Sequence, residues 1–93
     1  MELLHLRYFI AVAEELNLSR AAERLRVSQP PLSQQIKQLE AEVKVQLFDR
    51  TKRWVRLTSA GRLFLDHARL VLAQVDSAVL AARRTLEDQH DGD

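Results

Sequence analysis

From Ser28 to Gln38 the chain reads SQPPLSQQIKQ, a run of hydroxyls, carboxamides and one lysine with no acid among them. Leu32, Ile36, Leu39 and Val43 recur at helical spacing around it, so Ser33, Gln34, Lys37 and Gln38 point together away from an apolar back. Amides and hydroxyls on one face are short-range donors and acceptors, and a lysine adds a point charge. That is the chemistry of recognising base edges and phosphates. Gln29, Pro30, Pro31, Ser33 and Gln34 are the base-edge or sugar-edge candidates, with the prolines offering apolar contact to a thymine methyl. Ser28, Lys37 and Gln38 are the phosphate candidates.

A second cluster lies downstream, where Arg50, Lys52, Arg53 and Arg56 fall within seven residues uninterrupted by an acid. At the tip of a hairpin Arg53 is placed to enter a minor groove, where narrowing concentrates negative potential. Arg50 has a structural alternative, an ion pair with Glu40 or Asp49. Trp54 reads as strand packing rather than as a platform for a base. Catalysis finds little support. His5, His67 and His90 are far apart with no metal-ligand spacing, there is no glycine-rich phosphate loop, and no serine sits in a nucleophile motif. Without cysteine there is no disulfide, thiolate metal site or thiol redox chemistry. No catalytic residue, metal or cofactor is expected.

The elements that must position these residues follow from periodicity. Leu6, Phe9, Ile10, Ala13 and Leu16 mark a first helix from Leu3 to Leu16, broken at Asn17. Ser19 is the expected N-cap of a short second helix with Ala21, Ala22 and Leu25 inward, the two alanines allowing close helix approach. Ser28 or Gln29 caps the third helix, and Pro30-Pro31 suits its first turn, where a missing N–H costs little. A short helix, a tight polar break and a second helix with a polar front read as a helix-turn-helix. The pattern then shortens to β-type runs at Val45, Leu47 and Phe48 and at Trp54 to Leu57, two strands flanking a basic tip. Thr58 caps a long final helix in which Leu65, Ala68, Leu72, Val75, Val79, Ala82 and Leu86 alternate spacings of three and four, an a/d seam fit for a partner helix. The alternative is a helix laid along this stripe on its own domain.

The 93 residues support one domain with an extension. Ten basic residues face seven acidic ones up to Ala60, and four face six from Gly61 onward, so the first part is the better partner for a polyanion. No basic region followed by a continuous apolar run opens the chain, and no segment approaches a membrane span, so a cytoplasmic location is expected.

In order along the chain, LLHLRYFIAVAEELNLSRAAERL, VSQPPLSQQIKQLEAEV, LFDR and LTSAGRLFL resemble the N-terminal DNA-binding region of LysR-type transcriptional regulators. The resemblance covers nearly the whole chain. It implies a mainly α fold, a winged helix-turn-helix over residues 1–58 with a two-stranded wing, a linker and dimerisation helix over 59–87, and a polar tail over 88–93. It also implies a homodimer on an inverted-repeat site in double-stranded promoter DNA, with tetramers possible in a full-length protein and a small-molecule effector sensed only by a further domain that this chain lacks, which makes the chain a fragment. The QPPLS entry is most similar to the branch that governs breakdown of aromatic compounds. The chain departs from the family pattern at Lys44, where glycine is usual, and at Gln34, where Arg or Lys is common. A Gln at that place matches the N6/N7 edge of adenine rather than guanine. A helical dimerisation adaptor that binds protein instead of DNA would explain the heptads and leave the wing unexplained.

Overall fold

The computed structural model describes residues 1–50 and 55–91, the last three by backbone alone. Leu6, Phe9, Ile10 and Ala13 wind a buried stripe along α1 (Leu3–Glu15), widened by Ala11 and Val12. His5 accepts the Glu2 N–H on its Nδ1 at 3.1 Å, a local role at the helix start. Leu16, expected on the buried stripe, is 46% exposed. The chain leaves the helix there: Leu16 adopts a left-handed φ of 53° and closes its N–H on the Val12 oxygen at 2.8 Å, which swings its side chain off the stripe.

Asn17, not Ser19, caps α2 (Leu18–Leu25), because its side-chain oxygen accepts the Arg20 N–H at 3.0 Å as soon as the turn is complete. Ser19 lies inside the helix. Ala21 and Ala22 are buried, and their small size lets α2 lie close against its neighbours. The helix stops at Arg26 (φ 58°), where Val27 reaches back to the Ala22 oxygen and Arg26 to the Glu23 oxygen, the paired bonds of a Schellman ending. After this tight turn α3 (Gln29–Val43) buries Leu32, Ile36 and Leu39 completely and half-buries Val43. It ends at Lys44 in the left-handed conformation, φ 60°, with its N–H on the Glu40 oxygen at 2.9 Å. The lysine therefore takes up the strained geometry that a glycine adopts freely.

Strands β1 (Phe48–Asp49) and β2 (Arg56–Leu57) pair antiparallel, Phe48 opposite Leu57 and Asp49 opposite Arg56. They are shorter than the apolar runs promised. Val45 is exposed and outside the ladder, since the Leu47 N–H goes to Glu40 and its carbonyl to Thr58 rather than to a strand. Trp54 lies outside the described residues. Thr58 begins α4 (Ser59–Asp91): its Oγ1 accepts the Gly61 N–H at 2.9 Å and donates to the Gln46 oxygen at 2.7 Å. Gly61 is needed for space, because a Cβ there would collide with the Leu47 carbonyl oxygen and meet Leu57 at 3.0 Å. The helix runs through the expected polar tail as far as Asp91, since nothing between Glu87 and Asp91 breaks it and the next residue is Gly92.

The core joins all of these elements. Phe9 packs at 5.2 Å from the Phe48 ring and edge-on to Phe64 at 5.0 Å, linking α1 to the wing and to α4. Leu65 and Ala68, expected to face a partner helix, are buried in this core, and Leu72 is packed against it, so the first two turns of the supposed seam are intramolecular. The stripe divides along its length: near its start it is buried against the core, and farther on Val79 and Leu86 are exposed. Outside the core, Glu14 of α1 accepts Arg24 of α2 at 2.8 Å and Arg69 of α4 at 2.7 Å, while Arg24 also reaches Glu15 at 3.3 Å. Among the described residues no helix is long and apolar enough to cross a membrane.

Two backbone predictions have opposite signs. Gly61→Ala is expected to destabilise by about 1–3 kcal/mol through overpacking against Leu47, whereas Lys44→Gly is expected to stabilise by about 1 kcal/mol by relieving left-handed strain. Denaturant unfolding of both variants checks the pair. A third expectation concerns pH. Hydrogen bonds from Arg69 and then Arg24 hold the Glu14 carboxyl below its ordinary range against a smaller opposing effect of burial. A depressed native pKa gives stability that is present above the unfolded-state value and lost as pH falls through the native one. Thermal unfolding followed from pH 7 downward should show a decline below about pH 4.3, and Glu14→Gln should flatten that limb while lowering the neutral-pH midpoint.

Candidate nucleic-acid interface

The exposed front of α3 carries the residues that the sequence singles out. Gln29, Pro30, Pro31, Gln34, Lys37 and Gln38 are exposed and Ser33 is half-buried, over a back of three fully buried side chains. Ser28 occupies the capping position with extended backbone (φ −80°, ψ 156°), yet its side chain makes no capping hydrogen bond, so the hydroxyl is available outward. Pro30 and Pro31 remove two of the N–H donors that a helix start normally leaves unsatisfied. The tip of α3 is thereby apolar between two glutamines, better suited to a base edge and its methyl groups than to cradling a phosphate.

The turn before α3 is fixed from α2. Ser19 donates its hydroxyl to Gln29 Oε1 at 3.1 Å, joining the first turns of both helices at the exposed edge. Its local spacing marks Ser19 only as a helix cap, with no place in the site. The missing signal is a contact between residues ten apart, which no periodicity encodes.

Behind the front, Lys37, Lys44 and Arg50 line a shallow groove between α3 and the wing together with Glu40. Glu40 organises it. One carboxylate oxygen accepts the N–H groups of Leu47 at 2.8 Å and Phe48 at 3.2 Å, and the other takes Arg50 at 3.0 Å, with the Glu40 side chain only 10% exposed. Arg50 is thus committed to the structural partner foreseen for it. Of the other wing candidates, Lys52 and Arg53 lie outside the described residues. Arg20, Arg26, Lys37, Lys44 and Arg56 are exposed and have no ion-pair partner among the described residues, whereas Arg24, Arg50 and Arg69 do. Unpaired cations are the ones left to attract phosphate. Arg20, Arg26 and Lys44 were not among the sequence candidates, because which arginines the acids of α1 neutralise is settled only when the helices dock.

The model of the bacterial regulatory helix-turn-helix protein, lysR family, matches residues 3–62. The chain is 61% identical over 85 residues to the HTH-type transcriptional regulator AlsR of Bacillus subtilis, a match covering 91% of this chain and 28% of AlsR. Among solved structures it is similar to the BenM DBD in complex with benA site 1 DNA, with a TM-score of 0.87 and 46% identity over 90% of this chain and 94% of that one. It is also similar to full-length CbnR complexed with its target DNA, with a TM-score of 0.84 and 46% identity over 89% of this chain and 29% of that one. The chain spans less than a third of AlsR and of full-length CbnR.

The Glu40 arrangement predicts a graded series. Glu40→Ala strands two backbone donors and a guanidinium and should cost about 2–4 kcal/mol. Glu40→Gln keeps one acceptor and should cost roughly half as much. Arg50→Met, which removes a partly exposed partner and leaves the carboxylate on its two N–H groups, should cost no more than about 1 kcal/mol. Chemical denaturation of the three variants gives the order directly.

Proposed function

This chain belongs to the lysR family of bacterial regulatory helix-turn-helix proteins, and on that basis we propose that it is the DNA-binding part of a transcriptional regulator that recognises an inverted-repeat site in double-stranded promoter DNA as a homodimer. The observation that carries the reading is the acid-free exposed front of α3, ended by Gln29, Pro30 and Pro31 and backed by a completely buried Leu32, Ile36 and Leu39. Such a helix is rigidly held, and apart from the Ser19–Gln29 bond the side chains of its front make no hydrogen bond or ion pair among the described residues. Its width suits a major groove, and the likeness to two DNA complexes supports placing it there. Gln29, Pro30, Pro31, Ser33 and Gln34 then meet base edges, while Ser28, Lys37 and Gln38 meet backbone, helped by the unpaired Arg20, Arg26 and Lys44.

Dimerisation falls to the part of α4 beyond the globule. Val75, Val79, Ala82 and Leu86 continue the stripe at heptad-like spacing, and Val79 and Leu86 are 43% and 69% exposed, apolar surface that a second copy would cover. Effector sensing and any tetramer are proposed only for a longer protein such as AlsR or full-length CbnR, of which this chain spans less than a third. The chain itself acts by binding, not by catalysis, in the cytoplasm, where bacterial DNA lies.

Salt tests the reading. Each neutralised phosphate contributes about −0.9 to the slope of log affinity against log salt, so the chain should lose affinity for a selected duplex steeply between low and moderate salt. Lys37→Ala should make the slope shallower by about 1 for every sequence. Val79→Asp should shift sedimentation toward monomer and weaken DNA binding in parallel, since two half-sites must be engaged together. Affinity indifferent to salt, or dimers undiminished by the aspartate, would refute the corresponding half of the proposal.

A further inference from the structure

Two glutamines stand exposed on the first turns of α3, both base-edge candidates with the same side-chain chemistry. The structure distinguishes them. Gln29 Oε1 accepts the Ser19 hydroxyl at 3.1 Å across the turn, while the Gln34 side chain makes no hydrogen bond among the described residues. A carboxamide selects adenine by using both of its ends, giving an N–H to N7 and accepting one from N6. Gln34 has both ends free for that. In Gln29 the Ser19 hydroxyl holds the oxygen toward α2 and takes one of its two lone pairs, while the NH2 group has no partner among the described residues.

We propose that Ser19 is a positioning residue that makes Gln29 a one-sided hydrogen-bond donor, so that Gln29 favours a keto edge, guanine N7/O6 or thymine O4, over adenine at the base pair it meets. The proposal rests on the reading that α3 enters the major groove and goes beyond it in assigning opposite chemistries to two identical residues on one helix. Against adenine, the outward NH2 of Gln29 can reach N7 but finds the N6 amino group, another donor, beside it. Against guanine, both neighbouring atoms accept. Ser19 achieves this without contacting the base. It lies on the exposed side of α2, so its removal opens no cavity, and alanine is at home in a helix.

The test is selection from a randomised duplex pool by the parent chain and by Gln29→Ala, Ser19→Ala and Ser19→Thr, with circular dichroism confirming the fold of each. Gln29→Ala should flatten preference at one base pair per half-site and so identify the position. There the parent should select guanine or thymine. Ser19→Ala frees the oxygen, and adenine at that base pair should rise about three- to tenfold relative to the keto bases, with every other position unchanged. Ser19→Thr keeps a hydroxyl and should keep the parent preference. The inference is overturned if Ser19→Ala retains the parent pattern, if it weakens all sequences equally as loss of a phosphate contact would, if threonine behaves as alanine does, or if the parent selects adenine at the Gln29 position. A parent chain that selects no duplex at all would overturn the DNA-binding reading together with it, a result distinct from each of these.

Discussion

Leu47 has no freedom in its main chain, and most of the molecule is arranged around that fact. Its N–H is held by Glu40 from α3, its carbonyl accepts from Thr58 at 3.0 Å, and its side chain is buried. Thr58 in turn grips Gln46 and caps α4 through Gly61, whose missing side chain is what allows α4 to cross so close to the Leu47 carbonyl. A single chain of hydrogen bonds therefore runs from α3 through the start of the wing to α4. A buried carboxylate that left any of these donors unpaired would cost more than the bonds gain. Complete satisfaction makes the arrangement an all-or-none unit, and it fixes the angle between the exposed front of α3 and the wing.

The same economy shows at the helix ends. α1, α2 and α3 all stop at a left-handed residue, Leu16, Arg26 and Lys44, and none of them is glycine. Each such residue carries about 1–2 kcal/mol of steric cost, a noticeable fraction of the roughly 5–15 kcal/mol that holds a domain together. At two of the three sites there is a return. A cation at a helix C-terminus meets the negative end of the dipole, and Arg26 and Lys44 are also left exposed near the polar front of α3 with no acidic partner among the described residues. Strain, dipole and surface charge are coupled at these positions, so glycine would remove a charge along with the strain.

Charge is divided by function in the same way. Glu14 and Glu15 absorb Arg24 and Arg69 into a network that ties α1, α2 and α4 together, and Glu40 absorbs Arg50. Arg20, Arg26, Lys37 and Lys44, on or beside the helix-turn-helix, keep no acidic partner among the described residues, and neither do Arg7 on α1 and Arg62, Arg83 and Arg84 on α4. The near-zero net charge of the chain gives no sign of which charges are paired inside it.

Much was legible in the residues themselves: the four helices, the apolar back of α3, the cap at Thr58 and the acid-free front all follow from local spacing and from the chemistry of single side chains. The sequence also announced a stripe along α4, but a periodic stripe records only that something covers it. Tertiary packing decided that Leu65 and Ala68 belong to the core, while Val79 and Leu86 are left uncovered by the chain itself. The identity of the α2 cap slipped from Ser19 to Asn17 because the left-handed Leu16 ended α1 one residue early, a backbone choice that side-chain periodicity does not report. The Arg50–Glu40 pair was legible as an option, but the Ser19–Gln29 bond and the hold of Glu40 on the Leu47 and Phe48 N–H groups were not. Local order is set by neighbours three or four residues apart, which a sequence displays directly. A hydrogen bond across seven or ten residues exists only once two helices have docked, and then it decides which polar groups are spent inside the molecule and which are left for a partner.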